Sequence, residues 1–175
     1  MELKQAFIAE LQHEAANTRK ILGEVDMTRQ DYKPHEKSMP LGKLAVHVAD
    51  LPGWVSFTLE ADELDLSKMH YVAPTFTTNE ELIAHLDANI NKAIASLEKT
   101  NPEDFFKMWT LRQGDHVIFT MPKAAVVRSM ALSHLYHHRG QLSVYVRMTD
   151  SFVPGMYGPS KDDQLAQKAA MEAAN

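Results

Sequence analysis

Ser133-His134-Leu135-Tyr136-His137-His138-Arg139-Gly140-Gln141 packs three imidazoles into nine residues. Read at about 100° per residue, His134 and His138 leave the same face of a helix one turn apart. That face continues through Ala131, Gln141 and Tyr145, positions that should line a seam between helices. Imidazoles in such a seam are costly unless something pairs with them. The surrounding helix is the longest the chain predicts. Pro122 opens it where a missing N–H costs nothing, it spans roughly residues 123–148, and Val153-Pro154-Gly155-Met156-Tyr157-Gly158-Pro159 closes it off.

Outward from that helix, three more apolar stripes recur at helical period. Phe7, Leu11, Ala15, Thr18 and Leu22 mark a first helix from Leu3 to about Val25. A polar segment with Pro34 follows. Leu41, Leu44, Val48, Leu51 and Val55 mark a second helix over 40–59, with a kink or break expected at Pro52-Gly53. Residues 62–77 read as a loop. Thr78-Asn79-Glu80-Glu81 is a capping box for a third helix, whose Leu82, Leu86, Ile90, Ala93 and Leu97 stripe ends near Lys99. Trp109-Thr110-Leu111 and Val117-Ile118-Phe119, around Gln113-Gly114-Asp115, predict a small β-hairpin. The pattern predicts an all-α fold, a four-helix bundle with that hairpin before the last long helix. It is expected to form one domain over 1–175, with 161–175 as a peripheral tail or short helix.

Composition narrows the chemistry. The 175 residues suffice to bury a core without cross-links. The chain has no cysteine, so disulfides, a thiolate nucleophile and cysteine ligands are excluded, and any metal must be held by His, Asp or Glu. No apolar run approaches the ~18–20 residues of a membrane span. The opening MELKQAFIAELQHEAA lacks the apolar core of a signal peptide. The expectation is a cytoplasmic protein with no membrane partner. A formal net charge of −5 with no basic run argues against a nucleic-acid partner.

An HxxxH pair is common by chance, and a metal needs a third protein donor. His47 is the best candidate, one position off the second stripe and sharing a face with Leu51 and Trp54. Three neutral imidazoles would leave positions open for water or substrate, the mark of a catalytic site. A hydrogen-bonded histidine cluster without metal fits the same residues. Around them, His137 lies about 100° before His138 and reads as a supporting or packing residue. Asp50, three residues after His47, either orients that imidazole or is an ordinary surface acid. Arg139 and Gln141 fit a carboxylate-bearing substrate as well as a helix cross-link or dimer contact. Trp54 lines a pocket mouth or fills the core, and Tyr145 continues the ligand face as a further substrate-side candidate. His13, His35, His70, His85 and His116 have no partner at useful spacing and read as surface or satisfied residues. The glutamate of an H-E-x-x-H helix is missing, since Leu135 follows His134. There is no GxGxxG, no P-loop and no GxSxG elbow.

The segments LGKLAVHVADLPGW (41–54), HLYHHRGQL (134–142) and VPGMYGPSKDD (153–163), in that order, resemble the DinB family, related to the YfiT-like metal-dependent proteins. The resemblance covers nearly the whole chain, and its specific part is the helix with the HxxxH pair. It implies a four-helix bundle holding one divalent ion, zinc or nickel first and iron next. The ligands would be one histidine of the second helix and the pair of the fourth, which fall on His47, His134 and His138. It also implies thiol-dependent transferases and isomerases that use bacillithiol or mycothiol. The leading expectation is a metal-dependent thiol S-transferase acting on small electrophiles, with a small-molecule substrate and a low-molecular-weight thiol as partners. A metal-dependent hydrolase, with His137 or Asp50 as base, is the runner-up. A non-enzymatic metal-binding protein of stress response or interaction is the third reading. A homodimer is compatible with each.

Overall fold

In the computed structural model, which describes residues 2–174, the predicted stripes become buried helix faces. Helix α1 (Leu3–Leu22) buries Phe7, Leu11, Ala15, Thr18 and Leu22. Helix α2 (Leu41–Asp50) buries Leu41, Leu44 and Val48. The second helix breaks where expected. After a turn at Leu51-Pro52 it resumes as α3 (Gly53–Glu60), because proline has no N–H for the ladder and crowds the preceding turn. Helix α4 (Asn79–Lys99) starts at the predicted capping box. Thr78 Oγ1 accepts the Glu81 N–H at 3.2 Å, and the Glu81 carboxylate accepts the N–H of Thr78 at 3.3 Å. The buried face of α4 packs against α1, α2 and α3.

The fourth long helix departs from regularity. It begins as α5 (Lys123–Val126) and passes into seven π-helical residues, Val127–Ser133. It then continues as α6 (His134–Met148). The His134 N–H reaches back five residues to the Ser129 carbonyl, so the widened turn ends at the first histidine of the pair. Helix α7 (Lys161–Ala173) lies on the surface with no buried residue, as a peripheral C-terminal helix.

The sheet is larger than the predicted hairpin. Strands β2 (Met108–Gln113) and β3 (His116–Pro122) pair antiparallel, and Gly114 supplies the positive φ of +59° that their two-residue turn needs. A third strand, β1 (Glu63–Asp65), adds parallel to β2 from the segment read as loop. Three residues are too few to show an alternation. What holds them is long-range: the Asp65 carboxylate accepts the Gly114 N–H at 2.9 Å. The sheet carries a small core of Trp109 and Leu111, joined by Val126 of α5. The main core is drawn from α1, α2, α3, α4 and α6 with their adjoining turns. Among the described residues, no helix is long and apolar enough to cross a membrane.

Candidate metal centre

Helices α2 and α6 pack together and bring His47, His134 and His138 to one point. His47 Nε2 lies 3.4 Å from His134 Nε2, and His134 Nε2 lies 2.9 Å from His138 Nε2. One ring nitrogen from each residue falls within 4.8 Å of the others. A tetrahedral ion with bonds of about 2.0–2.1 Å sets its donors ~3.3 Å apart, so the spacing fits a single small divalent cation.

The second ring nitrogens decide how these donors behave. Gln141 Oε1 lies 2.7 Å from His138 Nδ1. As an acceptor it holds the proton on Nδ1 and leaves the Nε2 lone pair facing the cluster. His134 Nδ1 is buried without a well-formed hydrogen bond, although the Met130 carbonyl bears on the ring and favours its charged form. Burial outweighs that pull. It lowers the pKa of all three rings, and repulsion from neighbouring imidazoles, His137 included, adds to the effect, with His47 brought down to about 4. At neutral pH the three imidazoles are therefore neutral, which is the state a metal ion requires. Neutral rings at these distances either pass a hydrogen bond from ring to ring or turn their Nε2 lone pairs together on one cation.

The π-helical stretch explains how α6 presents them. A π-turn bulges the backbone and shifts the downstream face by about one residue, or ~100°. That shift aims His134 and His138 at His47 while Val127, Ala131 and Leu132 upstream stay in the core. Nothing in residues 123–133 signals it, since the segment contains neither proline nor glycine.

The remaining candidates divide. His137 is exposed, its ring edge-on to His138 at 4.8 Å, and its charge opposes protonation of His134 and His138. Gln141 is also exposed, so the cluster reaches solvent beside these two residues. Arg139 points elsewhere. Only 2% exposed, it pairs with the Glu14 carboxylate and donates to the Glu14 carbonyl and Thr18 Oγ1, each at 3.1 Å. Tyr157 completes the group, bonded to Arg139 and donating to Glu14 at 2.8 Å. Of the roles open to Arg139 in the sequence, substrate binding gives way to a cross-link between α1 and α6. Tyr145 is buried edge-on to Tyr32. Trp54 packs between the two cores, against Phe57 and Trp109.

Asp50 turns its oxygens to Tyr71 and to His85 Nε2, the latter at 2.6 Å, and acts on His47 only through its charge. Of the two readings open to His85, surface or satisfied, the structure gives the satisfied one. Its partner lies 35 positions away on another helix, beyond what spacing along one helix can show.

A model of the DinB family matches residues 1–169. The chain is 26% identical over 162 residues to the uncharacterised protein YrdA of Bacillus subtilis (strain 168), covering 90% of this chain and 89% of that one. Its fold is similar to the crystal structure of a DinB-like protein from Bacillus cereus ATCC 10987. There the TM-score is 0.67 at 18% identity, covering 87% of this chain and 97% of that one. The DinB-like protein YjoA of B. subtilis gives 0.65 at 18% identity, covering 86% and 96%. A protein from Exiguobacterium sibiricum 255-15 assigned to the DinB family gives 0.64 at 21%, covering 86% and 93%. With its own sequence matched from residue 1 to residue 169, the chain belongs to the DinB family.

Proposed function

We propose that His47, His134 and His138 bind one divalent metal ion, zinc or nickel before iron, and that the protein is a metal-dependent enzyme using a small exogenous thiol. The observation that carries the metal reading is the convergence of three neutral Nε2 atoms at 2.9 and 3.4 Å. A bound divalent ion would lower the pKa of a coordinated thiol or water and stabilise developing negative charge. His47, His134 and His138 supply three donors and leave the remaining positions to ligands from solvent. Gln141 fixes the His138 ring, and exposed His137 stands where it can take a proton from an incoming group.

The geometry favours a thiol over water as nucleophile. Hydrolysis calls for a general base at the ion; Asp50, the nearby carboxylate, already accepts from Tyr71 and His85, which leaves that demand to exposed His137. A thiol, more acidic than water to begin with, needs no further base once its pKa falls. The chain contains no cysteine, so the sulfur would come from a cosubstrate. Its attack forms a sulfur–carbon bond as the leaving group departs with its electron pair, and the thiol proton passes to His137 or solvent.

Elemental analysis of untagged protein tests the site. About one equivalent of metal is expected, with loss of that equivalent in His134→Ala. Retention of stoichiometric metal by His134→Ala would place the ion elsewhere. Turnover of electrophiles only when a small thiol is added supports the transferase reading, whereas turnover without thiol supports a hydrolase.

A further inference from the structure

A second candidate site borders α2 through Gly42, Lys43, Ala45 and Val46, with none of the three clustered histidines in its lining. A partly open cavity of about 240 Å³ lies between α2, the start of α4 and residues 73–76. Its walls are mainly apolar, with Val46, Phe76 and Leu82 prominent, and Gln30, Asp31 and Lys43 add the polar groups.

The covering segment is built as a strap. Gln30 Nε2 donates to the Phe76 carbonyl and to the Met27 carbonyl, each at 3.2 Å. Tyr71 is tied to Asp50, and Thr77 donates through its N–H and hydroxyl to Glu81 at 2.9 and 3.0 Å. Ala73, Pro74 and Thr75 cross the cavity between these anchors in neither helix nor strand. Val72 beside them is 87% exposed. A segment pinned at its ends, with little burial at its centre, opens at low cost.

The polar groups specify an occupant. Among the described residues, neither Lys43 nor Asp31 has an ion-pair partner; both are exposed, so a solvated cation and a solvated anion border one apolar space and are open to a ligand. Gln30 spends both N–H bonds on backbone carbonyls, which leaves its Oε1 as an acceptor. An anion alone would satisfy Lys43 and be opposed by Asp31. A cation alone would meet the reverse. A molecule carrying both charges on an apolar body satisfies all three groups. We propose that this cavity binds a free amino acid with an apolar side chain, its carboxylate on Lys43, its ammonium on Asp31 and Gln30 Oε1, and its side chain against Val46, Phe76 and Leu82.

The proposal stands independently of the metal centre, and titration calorimetry on the intact protein tests it. L-phenylalanine should bind saturably. 3-Phenylpropanoate, which lacks the ammonium, and phenethylamine, which lacks the carboxylate, should each bind about tenfold more weakly. Lys43→Glu and Asp31→Lys change exposed side chains and leave the fold intact. Each should weaken L-phenylalanine binding by about tenfold or more while metal content stays that of the parent. Backbone amide shifts on binding should centre on residues 73–76. No saturable binding of L-phenylalanine or L-leucine at millimolar concentration would overturn the proposal. So would binding of either one-charge analogue as tight as that of L-phenylalanine, or shifts centred away from the strap.

Discussion

At the scale of single residues, the centre depends on which nitrogen of each ring carries its proton. Gln141 is the clearest lever, because its Oε1 at 2.7 Å holds the proton of His138 on Nδ1. Gln141→Ala removes that restraint without removing a ligand. Loss of such an orienting partner typically costs 10–100-fold in metal affinity, so a chelator-competition titration should show a drop of about tenfold or more with the helical circular dichroism unchanged. The lowered pKa values set the response to pH. A proton competes with the metal for each Nε2 only as pH approaches the ring's own pKa, and burial holds all three rings below the ordinary imidazole value, His47 at about 4. Metal affinity should therefore stay nearly level from pH 8 to about 6.5 and fall steeply only below that. The sign for folding is the same. Rings kept neutral when folded contribute stability that is fully present above the unfolded value of about 6.5 and lost as pH falls toward the folded value. A tenfold loss of affinity already between pH 8 and pH 7 would mean that the rings are not buried as described.

At the scale of elements, what could be read from the sequence was whatever repeats along one segment. Phe7 through Leu22, Leu41 through Val55 and Leu82 through Leu97 carry period, and Thr78-Glu81 and Pro52 carry local stereochemistry, so helices, cap and break were all visible. So was the face shared by His134 and His138. Strand β1, the π-helical turn before His134, the pairing of Asp50 with His85 and the burial of Arg139 all depend on groups distant in sequence, and no periodicity records them. In sequence the segment 153–163 reads as a helix stop and as part of the family resemblance, and the structure adds how it is held. Asp163 accepts N–H groups from Gly155 at 2.8 Å and Ser160 at 2.9 Å, folding the chain back so that Tyr157 reaches Glu14 and Arg139. A Cβ on Gly155 would collide with the Gly158 carbonyl and the Asp163 carboxylate. Gly155→Ala should destabilise the protein by about 1–3 kcal/mol, as overpacking does, with a lowered urea midpoint. Metal content should be unaffected, because the segment touches the back of α6 rather than its histidine face.

At the scale of the whole molecule, the issue is whether a metal builds the fold or uses it. The main core unites α1, α2, α3, α4 and α6 through Leu11, Leu44, Val55, Leu86 and Leu142, and the histidines lie at its margin, half-buried. The α1–α6 contact has its own cross-link in Arg139 and Glu14, independent of the ligands. Removing one partner of such a buried pair costs about 3–5 kcal/mol, so Arg139→Ala should melt well below the parent even with metal bound. Chelation should act differently. A ligand that binds only the folded state adds RT ln(1 + [L]/Kd), about 3–4 kcal/mol at a hundred to a thousand times Kd. Chelated protein should therefore melt some degrees lower, keep its helical circular dichroism at 25 °C and regain its melting temperature when zinc or nickel is restored. That outcome fits an ion placed for chemistry at the edge of a self-sufficient core. Loss of helical signal on chelation at 25 °C would make the ion a structural element, and the proposed enzyme would give way to the non-enzymatic reading.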